Sequence, residues 1–211
     1  MEKLKSSLKN MVLVLVGVAL IVGAVLAYVN QLTEGPIKAK AEQALQAGIK
    51  TVMCTEDLTV AASDKVSEQI DGKTVEFTVH KTVGKDGKPL GAAVESSTMG
   101  FGGDLKVLVG FDPEGKVLGY TILTSSETPG LGLKADTWFQ KDGKGSVIGL
   151  SPKEGDLHVS KDDKSGNAVD AITASTITSR AFLKAINQAY AVYAKKGADG
   201  NSGASKQSKK G

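Results

Sequence analysis

The sequence predicts an α+β protein in which a single amino-terminal transmembrane helix precedes one domain, built from an antiparallel sheet flanked by helices. Three observations predict this. An uncharged apolar run occupies residues 11–29, and short segments of alternating polar and apolar residues fill much of 74–123. An amphipathic segment begins near Thr176. Successive strands joined by short turns, with helices before and after them, are typical of an antiparallel α+β domain.

The apolar run at 11–29 has the length of a membrane-spanning helix. At about 1.5 Å per residue it nearly matches a hydrocarbon core of about 30 Å. Lys3, Lys5 and Lys9 precede it, so the positive-inside tendency predicts that residues 1–10 are cytoplasmic and that the domain lies beyond the inner (cytoplasmic) membrane. A cleaved signal peptide is the alternative, but the run exceeds the roughly 7 to 15 apolar residues usual there. We therefore expect an uncleaved, single-pass anchor.

Composition divides the rest of the chain into three parts. Residues 30–52 are rich in Ala, Gln and Lys and predict a juxtamembrane helix or linker. Residues 53–196 are enough for one domain, and the Gly-, Ser- and Lys-rich segment 197–211 is expected to be a disordered tail. The net charge of +3 arises from interspersed lysines and acids, which does not indicate nucleic-acid binding. A single cysteine excludes an internal disulfide.

The elements of the domain follow from local patterns. Residues 74–80 alternate polar with apolar side chains, and an Asp-Gly turn at 85–88 leads to a hairpin partner at 90–96. Two further strand-like runs, at 105–111 and 117–123, complete the predicted antiparallel meander. A short helix is expected at 134–140 and a short strand at 157–160. His80 and His158 lie in strand-like runs without neighbouring metal ligands and are predicted to be structural.

A hydroxyl-rich run at 170–179 leads into the last helix. The apolar positions after it recur on one helical face, at Phe182, Ile186, Ala189, Tyr190 and Tyr193, so this helix is predicted to begin near Thr176. The first turn of a helix presents unpaired N–H groups and a partial positive charge, which favour a phosphate. The alternative is that Thr173, Ser175 and Thr176 simply cap the helix.

The segment 127–132, Glu-Thr-Pro-Gly-Leu-Gly, is the second distinctive motif. Pro129 fixes one backbone angle, while Gly130 and Gly132 permit close approach of the main chain to a flat ligand. Leu131 is available to pack on such a ligand. The alternative is an ordinary Pro-Gly turn between a strand and a helix.

These two segments, in this order, resemble motifs of one flavoprotein family. The family contains the G subunit of the Rnf electron-transport complex and the C subunit of the sodium-pumping NADH:quinone reductase. Its Asp-x-x-Ser/Thr-Gly-Ala-Thr signature carries FMN on the threonine as a phosphoester, and it has a Glu-Thr-Pro-Gly-Leu-Gly loop. Chain length favours the Rnf subunit. The resemblance implies an extracytoplasmic FMN-binding domain with Thr176 as the covalent acceptor.

The resemblance also implies roles for individual positions. Asp170 matches the recognition aspartate and Thr173 the Ser/Thr position. Ala174 stands where the family has Gly, and Ser175 where it has Ala. The first departure matters more, because a Cβ at a positive-φ position costs about 1 kcal/mol.

Six further positions belong to the implied site. A glycine-rich loop at 99–104 lies near the flavin site in the family. Four residues are expected to line or approach the flavin ring: Glu127, Thr128, Leu131 and Gly132. Trp138 is expected to pack next to the ring, and Ser179 to contact the phosphate.

The function implied by the resemblance is electron transfer by covalently bound FMN within an ion-translocating ferredoxin:NAD oxidoreductase. The partners would be the other membrane subunits of an Rnf-type complex, and a magnesium-dependent flavin transferase that uses FAD as donor. Two alternatives stay open at this point. The chain could be a flavin-binding module for another respiratory or sensing partner, or a structural subunit without a cofactor.

Overall fold

The computed structural model describes residues 8–70 and 72–200, which belong to two units, one ending at Gln46 and one beginning at Ala47. A single helix, α1 (Leu8–Val52), runs through the first unit and ends in the second. It joins the predicted anchor at 11–29 and the predicted linker at 30–52 without interruption, with Pro36 inside it. Residues 1–7 of the predicted cytoplasmic terminus lie outside the described residues.

Helix α1 is long and apolar enough to cross a membrane. Its large apolar side chains between Leu8 and Ile37 are exposed. Apolar surface of this extent on one helix is what a lipid environment would cover. These properties fit a membrane-anchored protein.

Five strands form one antiparallel sheet in the order in which they occur along the chain. They are β1 (Leu58–Ile70), β2 (Lys73–Gly84), β3 (Pro89–Met99), β4 (Asp104–Phe111) and β5 (Val117–Ser125). The four strands that the sequence predicts correspond to β2 through β5, so the predicted antiparallel meander is confirmed. Each hairpin connection is short, as local antiparallel pairing requires.

Strand β1 has no counterpart in the sequence predictions. It is an edge strand that pairs with β2 alone, and a bulge between Val60 and Ala62 shifts its register. A bulge adds one residue, so the side chains after it face the opposite side of the sheet from the side that strict alternation would give them. The period-two pattern is therefore broken within the strand, and alternation alone does not predict it.

The remaining elements cover one face of the sheet and lead to the last helix. They are a 3-10 turn (Gly132–Lys134), α2 (Ala135–Trp138), a second 3-10 turn (Pro152–Glu154), the short parallel strands β6 (His158–Val159) and β7 (Ala168–Val169), and α3 (Thr176–Gly200). Helix α3 packs on β3 and β4 through buried residues that include Phe182, Ile186 and Ala189. The predicted start of this helix agrees with the structure. It continues to Gly200, and residues 201–211 of the predicted tail lie outside the described residues.

The sequence places the start of the folded domain at residue 53, but in the structure the domain begins earlier. Ile49 and Val52 in the last turns of α1 are fully buried. A side chain at Gly110 or Gly119 would collide with the backbone of Val52, so both strands need glycine where this helix end packs against them. The last turn of α1 is thus part of the core, and the second unit begins at Ala47.

Candidate functional site

Three segments that are distant in sequence meet at one cleft of about 430 Å³. They are the glycine-rich loop after β3, the 127–132 loop after β5, and the start of α3. The cleft is lined by Phe101, Glu127, Thr128, Leu131, Gly132, Ala174, Ser175, Thr176, Ile177 and Thr178. The fold therefore brings both sequence motifs into a single site.

Glu127 connects these three segments. Its side chain is only 5% exposed. One carboxylate oxygen accepts a hydrogen bond from the backbone N–H of Phe101 at 2.7 Å, and the other accepts one from the hydroxyl of Thr178 at 3.0 Å. Hydrogen bonds to an ionised carboxylate are among the stronger ones in proteins. Gly100 and Gly132 pack so closely on this carboxylate that a Cβ at either position would collide with it.

Replacing Glu127 tests this connection. We expect Glu127→Ala to lower the free energy of unfolding by about 3 kcal/mol, because it leaves the N–H of Phe101 and the buried hydroxyl of Thr178 without an acceptor. Glu127→Gln keeps an acceptor oxygen and is expected to cost about 1 kcal/mol. Urea unfolding followed by circular dichroism measures both. Equal losses for the two variants would contradict a hydrogen-bonding role.

The turn before α3 is held by the side chain of Ser179. Its hydroxyl accepts a hydrogen bond from the N–H of Ile172 at 3.0 Å and donates one to the carbonyl of Ser175 at 2.9 Å. Ser179 is fully buried and does not line the cleft. The hydroxyl proton of Ser179 is thus bonded within the turn, where this side chain shapes the signature segment, and its expected phosphate contact stays a prediction.

Ala174 occupies the strained position that the family signature suggested. Its φ is +62°, in the left-handed region, at the position where the related signature has glycine. The side chain is exposed. A Cβ in this conformation is strained, so the tight turn into α3 forms here at an energetic cost.

The strain at Ala174 predicts that Ala174→Gly stabilises the domain by about 0.5–1 kcal/mol. The matched control is Ala191→Gly, an exposed position in the regular part of α3. There the same substitution is expected to destabilise by about 1 kcal/mol. Thermal melting of both variants measures the two effects. A loss of stability in Ala174→Gly would contradict the strained turn.

Thr176 is the first residue of α3 and is half-buried in the wall of the cleft. Its hydroxyl makes no hydrogen bond to any described residue. The same holds for the hydroxyls of Thr173 and Ser175 within the described part of the chain. None of the three therefore caps the helix with its side chain. Thr173 lies outside the cleft lining, and Ser175 lines the cleft but is only 8% exposed, so of these three residues Thr176 is the more exposed one in the cleft wall.

Asp170 and Trp138 lie beside the cleft and do not line it. The carboxylate of Asp170 accepts a hydrogen bond from Ser160 at 2.7 Å, and its carbonyl accepts one from the indole N–H of Trp138 at 2.8 Å. The indole of Trp138 thus holds the backbone at the start of the signature segment. Its expected packing next to the flavin ring stays a prediction.

The cleft has an apolar rim, of which the sequence analysis anticipated only Leu131. The exposed side chains of Phe101, Leu131 and Ile177 line this cleft. The glycine-rich loop was the only sequence signal for Phe101. Exposed apolar side chains gathered at one place mark a binding surface.

Comparison with known proteins identifies the family of this chain. Residues 100–191 match the FMN-binding domain family. The chain is 32% identical to the G subunit of the Na(+)-translocating ferredoxin:NAD(+) oxidoreductase complex of Acetobacterium woodii, over 86% of this chain and 89% of the relative. The chain belongs to the family of G subunits of ion-translocating oxidoreductase complexes.

Two further relatives among these G subunits have similar coverage. The G subunit of the ion-translocating oxidoreductase complex of Shewanella piezotolerans is 31% identical over 88% of each chain. The G subunit of the proton-translocating ferredoxin:NAD(+) oxidoreductase complex of Clostridium ljungdahlii is 30% identical over 79% of this chain and 81% of its own. The resemblance inferred from the two motifs is thereby confirmed.

The fold agrees with that of a solved structure. The crystal structure of Shewanella oneidensis NqrC superposes with a TM-score of 0.54 at 13% identity, over 76% of this chain and 99% of that chain. The matched FMN-binding domain, residues 100–191, contains every residue that lines the cleft.

Proposed function

We propose that this subunit is a membrane-anchored electron carrier whose FMN is attached to Thr176 by a phosphoester bond. It relays electrons within an Rnf-type complex that couples electron transfer between ferredoxin and NAD to ion movement. The relatives from Acetobacterium woodii and Clostridium ljungdahlii are named as subunits of sodium- and proton-translocating ferredoxin:NAD(+) oxidoreductases. The chain acts as one subunit of a translocase, with little independent catalysis.

The observation that carries the proposal is the position of Thr176. Thr176 lies in the cleft wall at the start of a helix of 25 residues, and its hydroxyl bonds to none of the described residues. A phosphate attached there meets the partial positive charge of the helix end, which contributes about 0.3–1 kcal/mol. When bound, FMN supplies one- and two-electron chemistry, and the protein supplies position and electrostatics.

The rest of the cleft suits a flat, largely apolar ring. Phe101, Leu131 and Ile177 offer exposed apolar surface at its rim. Thr128 also lines the cleft, three residues before Leu131. The buried carboxylate of Glu127 keeps the loops around the ring in register through its bonds to Phe101 and Thr178. Ring binding thus depends on apolar contacts, while the covalent bond prevents loss of the cofactor.

Attachment requires a maturation partner. In the proposed reaction, the Thr176 oxygen attacks the phosphorus of the FMN half of FAD, the pyrophosphate bond breaks, AMP leaves and the hydroxyl proton is released. A magnesium-dependent flavin transferase catalyses this step. Asp170 and Thr173 precede the acceptor and are both exposed, so such an enzyme can reach them.

The experiment is expression of the full-length chain with and without the transferase, followed by intact-mass measurement. We expect a gain of one FMN less one water, and an ultraviolet-fluorescent band on a denaturing gel. An unchanged mass after transferase treatment would exclude the covalent carrier and favour a cofactor-free subunit. Co-purification with other Rnf-type membrane subunits separates the relay from a flavin module that serves a different partner.

The proposed topology places the amino terminus in the cytoplasm and the domain outside the inner membrane, with a single pass. Lys3, Lys5 and Lys9 before the apolar run support it. The single cysteine, Cys54, is exposed in the domain. A membrane-impermeant maleimide is therefore expected to label intact spheroplasts, with Cys54→Ala as the control. Labelling that requires lysis would contradict this orientation.

A further inference from the structure

Four side chains from four adjacent strands form a hydrogen-bonded row outside the flavin cleft. Ser63 of β1 lies 2.8 Å from His80 of β2, measured from Oγ to Nδ1, and His80 Nε2 lies 2.9 Å from Oε1 of Glu95 in β3. Lys106 of β4 forms an ion pair with the other oxygen of Glu95. His80 is 5% and Glu95 7% exposed, whereas Ser63 is open to solvent.

The charges in this row determine where its protons lie. Burial would raise the pKa of Glu95, but the hydrogen bonds from His80 and Lys106 outweigh it and lower that pKa below its ordinary value. Glu95 is therefore an ionised acceptor at neutral pH, so the proton on a neutral His80 belongs on Nε2. This leaves a lone pair on Nδ1, which accepts the hydroxyl hydrogen of Ser63.

An exposed hydroxyl that donates to an imidazole, which in turn donates to a buried carboxylate, is the arrangement of a base-activated serine. We propose that Ser63, His80 and Glu95 form a second reactive site, at which Ser63 accepts an acyl group from a small carboxylic ester. In this site His80 has a chemical role in place of the structural one that the sequence predicts.

Acyl transfer at this site begins when Ser63 Oγ bonds to the carbonyl carbon of the ester while its proton moves to His80 Nδ1. The bond between that carbon and the alcohol oxygen then breaks, and the alcohol leaves with the proton from His80. Water repeats the two steps on the acyl-serine and releases the carboxylic acid. Glu95 is a positioning residue, because it fixes the tautomer and orientation of the imidazole.

A groove of about 690 Å³ shares Glu95 and Lys106 with this row. Its walls include Lys65, Thr78, Glu95 and Lys106. Lys65 is two residues from Ser63, so both side chains lie on the same side of β1. Lys65 forms no ion pair with any described residue, and its ammonium group supplies positive charge for the developing oxyanion. The bulge before Ser63 is a feature common beside reactive sites.

The test treats the full-length protein in detergent with an alkyl fluorophosphonate, which phosphonylates activated serines with loss of fluoride, and maps the modified residue by mass spectrometry. We expect modification of Ser63 and hydrolysis of p-nitrophenyl acetate, both abolished in Ser63→Ala. The matched control is Ser165, an exposed serine that donates to the carboxylate of Asp163 with no imidazole between them. It is expected to stay unmodified, and Ser165→Ala to behave as wild type.

Two variants separate activation from folding. His80→Gln is expected to slow modification of Ser63 about 10²- to 10⁴-fold. Glu95→Gln is expected to slow modification of Ser63 at least about tenfold. The side-chain amide of Gln donates to His80 Nε2, so the imidazole proton moves to Nδ1, which then no longer accepts from Ser63. Melting temperatures establish that the variants are folded. Modification elsewhere, none in the folded wild type, or equal rates in wild type and folded His80→Gln would overturn the proposal.

Discussion

Thr176→Ala is expected to abolish covalent attachment of FMN. The substitution removes the accessible hydroxyl at the start of α3 and leaves the apolar rim and the Glu127 contacts in place. After coexpression with the flavin transferase, the variant should have the mass of its amino acids alone and give a dark band under ultraviolet light. Because the Thr176 hydroxyl bonds to no described residue, its loss is expected to change stability by less than about 0.5 kcal/mol.

Two neighbouring substitutions serve as controls for this loss. Ser175→Ala removes the adjacent, nearly buried hydroxyl and should leave attachment intact. Thr176→Ser keeps a hydroxyl at the acceptor position and should retain flavin, at a lower rate because serine is less restricted about χ1. A fluorescent Thr176→Ala protein would show that the acceptor is a different residue, and peptide mapping would then identify it.

The second large effect is expected from Phe182→Ala, which should lower the free energy of unfolding by about 3–5 kcal/mol. Phe182 is fully buried in α3 and stacks on Phe139, with ring centroids 4.4 Å apart and planes 8° apart. It also meets Tyr120 edge to face at 4.7 Å. Removing the ring leaves a cavity between α3, α2 and β5. Urea unfolding of the full-length protein, followed by tryptophan fluorescence at Trp138, measures the loss.

Ile177→Ala is the matched control in the same helix. Its side chain is 53% exposed, so its truncation should cost less than about 1 kcal/mol. It nevertheless lines the cleft, so a weaker hold on the flavin ring is expected without a change in covalent attachment. An equal free energy of unfolding for Phe182→Ala and Ile177→Ala would contradict the view that the aromatic cluster fixes α3 on the sheet.

These two expectations are linked through one helix. The proposed phosphate acceptor, Thr176, is the first residue of α3, and Phe182 lies less than two turns further along the helix. The position of the acceptor in the cleft is therefore set by buried contacts that touch no cofactor. Destabilised α3 variants are expected to carry less flavin even with Thr176 intact, because the three cleft segments no longer meet.

The sequence by itself determined the features that depend on neighbouring residues. The start of α3 followed from the spacing of Phe182, Ile186 and Ala189, and the hairpins of β2 to β5 followed from alternation and turn residues. The strained backbone at Ala174 followed from a motif in which glycine is usual. Propensity, periodicity and turn chemistry act over a few residues, so a single sequence reveals them.

Only the tertiary structure decided which distant side chains meet. Glu127 reaches Phe101 and Thr178, and Trp138 holds the backbone of Asp170. Strand β1 pairs at an edge despite its broken alternation, and it brings Ser63 to His80. Hydrogen bonds between residues far apart in sequence depend on sheet register and helix packing, and no local pattern encodes either of these.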